Sequence, residues 1–124
     1  RMAEGGDGWL ESTPPFLLPY QAQAGIGFTL GVGLDRLRAY SLEQLDYLKA
    51  SLESAGVRTH LPEHHGAFLM VPDDDAPGLC ARLKSEHNIT ADARRGYARF
   101  CPDVLTTRAQ MDEAASLIAK TMGV

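Results

Sequence analysis

Residues 89–114 read ITADARRGYARFCPDVLTTRAQMDEA. Two short extended runs flank Arg95 and Gly96, a pair suited to a tight turn. In the second run, residues 97–101, alternation sends Ala98 and Phe100 to one face and Tyr97, Arg99 and Cys101 to the other. Pro102 ends that run, because proline has no amide hydrogen to give to a ladder. Thr107 with Gln110 three residues on is a capping box. Met111, Ala114, Ala115, Ile118 and Met122 then recur at helical spacing. The stretch predicts strand, turn, strand, helix, with Arg99 directed away from the covered face.

Upstream, residues 34–55 form the clearest element. Leu34, Leu37, Ser41, Leu45, Leu48 and Leu52 step by three and four and make one apolar stripe, and Gly56 stands where a C-terminal cap belongs. Two extended runs follow, 57–61 and 66–71, separated by PEHH. The aspartates of PDDDAPG suit a helix start, where they accept from free amides and complement the dipole. The helix they introduce, 76–87, buries Leu79 and Leu83. A shorter helix is predicted over 19–30, with Pro19 in its first turn and a turn at 31–33. The order α-α-β-β-α-β-β-α predicts an α+β fold: a two-layer sandwich of a four-stranded, mostly antiparallel sheet with helices on one face.

The chain has 124 residues, enough for one modest core. Its formal net charge of -4 comes from interleaved acidic and basic residues, with no basic stripe to bind nucleic acid. No apolar run approaches the roughly 20 residues of a membrane span. No apolar leader is visible in RMAEGGDGW, and the reading is of a cytoplasmic protein with its two cysteines, Cys80 and Cys101, reduced. His60, Glu63, His64 and His65 crowd THLPEHHGA, but their spacing matches no metal motif, and a polar loop between strands accounts for them. The glycines of GIGFTLGVG lack the G-x-G-x-x-G order and a preceding strand, so no nucleotide loop is read there. Residues 1–18 have no periodicity, yet they carry Trp9, Leu10, Phe16, Leu17 and Leu18. They read as an interdomain segment ahead of a domain over 19–124, and as a stretch that seeks burial, including against a second copy.

The run STPPFLLPYQAQAGIGFTLGVGLDRLRAYSLEQLDYLKASLE resembles the entry to the small domain of kynureninase. Its core is Gly33-Leu34-Asp35-Arg36-Leu37-Arg38-Ala39-Tyr40-Ser41-Leu42. The closing strand pair, with its arginine, proline, loop and helix, is similar to that of class V enzymes of fold type I, which depend on pyridoxal 5'-phosphate. The resemblance extends from about Gly8 to Ala119. It implies a C-terminal small domain of a kynureninase-like hydrolase that cleaves a Cβ–Cγ bond of an amino acid, and that is inactive without its large domain. Class V aminotransferases and cysteine desulfurases are the nearest alternatives. A stand-alone, non-catalytic binding module of the same fold is another.

The resemblance further implies a homodimer, an N-terminal large domain as partner, and pyridoxal phosphate held in the full-length protein but not by this chain alone. It gives Arg99 the substrate α-carboxylate, for which a guanidinium fork on a strand is well suited. It gives Thr13 an approach to the cofactor phosphate. Read from the residues alone, Arg99 is a solvated strand arginine and Thr13 an ordinary residue before proline. Leu105-Thr106-Thr107, Cys101 and Asp103 depart from the family pattern and leave the substrate open. No catalytic residue and no metal ligand is assigned. Lys49, Lys84 and Lys120 all fall in predicted helices, and none has the strand-end setting that pyridoxal chemistry requires.

Overall fold

The computed structural model describes Gly5 and residues 16–124. The described residues fall into two compact units, one ending at Arg36 and the other running Leu37–Val124. In the first lies α1 (Leu17–Val32), which contains no charged residue and buries none of its side chains. Gly33 closes α1: its φ of 97° is in the range that favours glycine, and its amide donates to the Thr29 carbonyl at 3.0 Å. Helix α2 (Leu34–Ser54) begins immediately after it.

From Leu37 onward the fold is α+β. After α2 come β1 (Leu69–Pro72), α3 (Ala76–His87), β2 (Asp92–Arg94), β3 (Tyr97–Phe100) and α4 (Arg108–Met122). The sheet has three strands in the order β1-β3-β2, with both pairings antiparallel. Leu69, Val71, Ala98 and Phe100 point into the core, where they meet Leu45, Leu48 and Leu52 of α2, Leu79 and Leu83 of α3, and Met111, Ala115 and Ile118 of α4. Met70, Arg99 and Asp92 line up across the opposite face. Period 2 along the strands and period 3.6 along the helices thus converge on one buried layer.

The fourth predicted strand, residues 57–61, contributes only a single bridge, His60 to Met70. Its first residues are held to the end of α2 instead. The Val57 amide donates to the Leu52 carbonyl and closes the end of α2, and the Thr59 hydroxyl donates to Glu53. The run 66–71 shortens in the same way, since Arg38 donates to the carbonyls of His65 and Gly66 at 2.8 and 3.2 Å. At 89–91 the Ile89 amide completes the α3 cap on the Leu83 carbonyl, beside left-handed Asn88. Helix caps and an arginine therefore satisfy groups that alternation alone assigned to ladders.

The helix ends match their signals. Asp75 caps α3 by accepting from the Gly78 amide, and Thr107 with Gln110 forms the capping box of α4. Among the described residues, Gln44 is the polar exception in the core. It is 4% exposed and donates to the carbonyls of Asp103 and Thr106 at 2.7 and 3.1 Å. It fastens α2 to the loop between β3 and α4, a loop that Asp103 also closes by accepting from the amides of Leu105 and Thr106.

The β2–β3 turn has two residues, Arg95 (φ 52°) and Gly96 (φ 77°), both left-handed as a type I′ hairpin needs. Glycine adopts this freely, whereas arginine is strained there. Arg95→Asn is expected to raise stability by about 0.5–1 kcal/mol in urea titration, because asparagine tolerates that conformation at the first turn position.

Candidate functional site

The two-residue turn also sets what faces Arg99. Counting outward from it pairs Arg94 with Tyr97, Ala93 with Ala98 and Asp92 with Arg99. Asp92 accepts from the Arg99 Nε at 2.8 Å and from its Nη2, so the carboxylate spans the side edge of the guanidinium. The guanidinium carbon lies 5.0 Å from the centroid of the Phe68 ring. Arg99 is the sheltered partner, with 25% of its side chain exposed against 59% for Asp92. Arg99 is thus not the freely solvated strand arginine that the residues alone suggest, because Asp92 of the neighbouring strand meets it. The signal was in the sequence, because a two-residue turn fixes the register.

A guanidinium has five N–H donors, and Asp92 takes two of them. The end edge, made by Nη1 and the second hydrogen of Nη2, has no acceptor among the described residues. Arg99, Asp92, Phe68, Thr90, Ala91 and Cys101 line a shallow pocket of about 380 Å³. Phe68, Ala91 and the stem of Arg99 make part of its wall apolar.

The hydrogen bonds from Arg99, and then its charge, hold the Asp92 carboxyl below its ordinary value of 3.8. A carboxyl with a lowered folded value adds stability that is fully present above the unfolded value. That stability is lost as pH falls through the folded value. The stability difference between the wild-type protein and Asp92→Asn is therefore expected to be constant near neutrality. It should shrink below about pH 4, as followed by urea titration at a series of pH values.

A larger groove, about 760 Å³, lies between α2 and α4 and is lined by Tyr47, Ser51, Asp112 and Lys120 among small residues. Its polar groups are largely spent on one another. The Tyr47 hydroxyl donates to Asp112 Oδ2 at 2.8 Å, and the Ser51 hydroxyl to Oδ1 at 2.9 Å. The bond to Asp112 pushes the Tyr47 phenol up, keeping it a donor. The groove reads as a tie between two helices, and the smaller pocket at Arg99 holds the more available chemistry.

Thr13 lies outside the described residues. The three lysines lie on α2, α3 and α4. Lys49 pairs with Glu53 at 3.1 Å along α2. Lys84 donates to Asn88 and Thr90 at 2.9 and 3.1 Å. Lys120 lines the α2–α4 groove. None of them lines the pocket of Arg99. Among the described residues, no group of three His, Cys, Asp or Glu side chains is gathered to hold a metal ion. The His65 Nδ1 donates to the Pro62 carbonyl at 2.7 Å within its own loop. Burial pushes the Cys80 thiol up, away from the thiolate form. No helix among the described residues is long and apolar enough to cross a membrane.

No family model, curated protein or solved structure matches the chain. The likeness to kynureninase stands on the motif residues alone.

Proposed function

We propose that this chain is the small domain of a pyridoxal-phosphate-dependent, kynureninase-like hydrolase, in which Arg99 receives the α-carboxylate of an amino acid. The observation that carries the reading is the open end edge of Arg99 on the outer face of the sheet, beside a partly apolar pocket. A strand-borne, braced guanidinium is preorganised for a planar carboxylate, so little side-chain freedom is lost on binding. In this reading the cofactor and its lysine belong to a large domain, and Thr13 approaches the cofactor phosphate. Class V aminotransferase or desulfurase chemistry fits the same receptor, since all begin by holding an amino acid.

The uncharged helix α1 supports the partner side of the proposal. It exposes Leu17, Tyr20, Ile26, Phe28 and Leu30, a surface apolar enough to pack on a large domain or across a homodimer. The Asp92–Arg99 pair favours one other reading, a non-catalytic module in which the ion pair only braces the hairpin.

The deciding experiment joins this chain to a lysine-bearing large domain and measures bound pyridoxal phosphate and the cleavage of kynurenine and a panel of amino acids. Cofactor-dependent turnover is expected. A joined protein that binds no pyridoxal phosphate sinks the enzyme reading.

A further inference from the structure

We propose that Asp92 sets the selectivity of the Arg99 site: it cancels the charge of the guanidinium while leaving its end edge open, so that planar carboxylates are accepted and inorganic anions are turned away. The inference rests on the reading of Arg99 as a carboxylate receptor.

A bare surface arginine attracts any anion through its net charge, whatever the anion's shape. Asp92 removes most of that attraction by lying against the side edge through Nε and Nη2. What remains is directional: parallel donors on Nη1 and Nη2. Two such donors match the two coplanar oxygens of a carboxylate. Phosphate, more strongly hydrated and more highly charged than a monocarboxylate, costs more to desolvate and is repelled more by Asp92. Phe68 lies against the guanidinium and Ala91 lines the pocket with it, which adds a preference for a carboxylate carrying an apolar group. Arg94, two residues from Asp92, is exposed and does not line the pocket. The ligand class is therefore a small organic monocarboxylate with an apolar or aromatic substituent.

The test follows the Arg99 Nε–H signal of the whole chain by NMR, assigned by its loss in Arg99→Lys, during titration with benzoate and with inorganic phosphate at fixed ionic strength. Wild-type protein is expected to bind benzoate at least about tenfold more tightly than phosphate. In Asp92→Asn, phosphate binding should strengthen and the preference should fall to roughly threefold or less. Asp92→Glu, which keeps the charge, should retain the discrimination. A purely structural role for Asp92 predicts no gain in phosphate affinity. An unchanged benzoate-to-phosphate ratio in Asp92→Asn, with benzoate binding still abolished by Arg99→Lys, overturns this inference and leaves the receptor reading intact. Benzoate binding that survives Arg99→Lys, read from backbone amide shifts, overturns both.

Discussion

Leu52→Ala is expected to cost about 3 kcal/mol of folding stability. Leu52 is 0% exposed and lies in the layer where α2 meets the sheet, α3 and α4. Truncation removes its transfer energy and leaves a cavity that three helices and a sheet cannot all collapse to fill. A unit of this size has about 5–10 kcal/mol in total, so the loss corresponds to a fall of roughly 12–24 °C in melting temperature. Thermal unfolding followed by circular dichroism measures it. Leu105, 81% exposed in the loop before α4, provides the control. Leu105→Ala should move the midpoint by no more than a degree or two, as about ±0.5 kcal/mol is usual for open surface positions. Equal effects at the two positions would refute the core described above.

In the proposed enzyme, Arg99→Lys should lower kcat/KM roughly a hundredfold for substrates that carry the α-carboxylate. Lysine keeps the charge but offers no parallel pair of donors, and its flexible ammonium can be captured wholly by Asp92. Amine analogues that lack the carboxylate should be processed equally by both proteins, which separates loss of recognition from loss of fold. Cofactor content should also be unchanged. Full activity in Arg99→Lys and Arg99→Ala alike would return the residue to the role of hairpin brace.

The helices were the most legible part of the sequence, for a physical reason. Leu45, Leu48 and Leu52, or Met111, Ala115 and Ile118, repeat a period that no other local structure shares, and Asp75, Thr107 and Asn88 stop or start it with hydrogen bonds inside a few residues. The stripe nevertheless overreached at its start, where Leu34 is 62% exposed. Strand lengths were less legible because they depend on distant claims to the same backbone groups. Nothing near Gly66 announces that Arg38, 28 residues earlier, takes its carbonyl. Gln44 was invisible for the same reason, since its partners at Asp103 and Thr106 come from a loop far along the chain. At the candidate site, the outward face of Arg99 followed from alternation. Asp92 was within reach of a register count from the two-residue turn, whereas Phe68 needed the fold, because β1 arrives beside β3 only in three dimensions.

The position of β3 between β1 and β2 has a kinetic consequence. The β2–β3 hairpin closes across two residues, so it can form within about 1–10 μs, long before β1 is recruited from across α3. Arg99 and Asp92 thus meet in a local structure that needs no distant strand, whereas Phe68 must come from across α3. Once folded, β3 is hydrogen-bonded on both sides, while β2 keeps one open edge. Amides of Tyr97–Phe100 should accordingly be among the slowest to exchange with deuterium, and those of β2 should exchange first. Opening of the site is then governed by departure of the Asp92 strand from an arginine that stays in place.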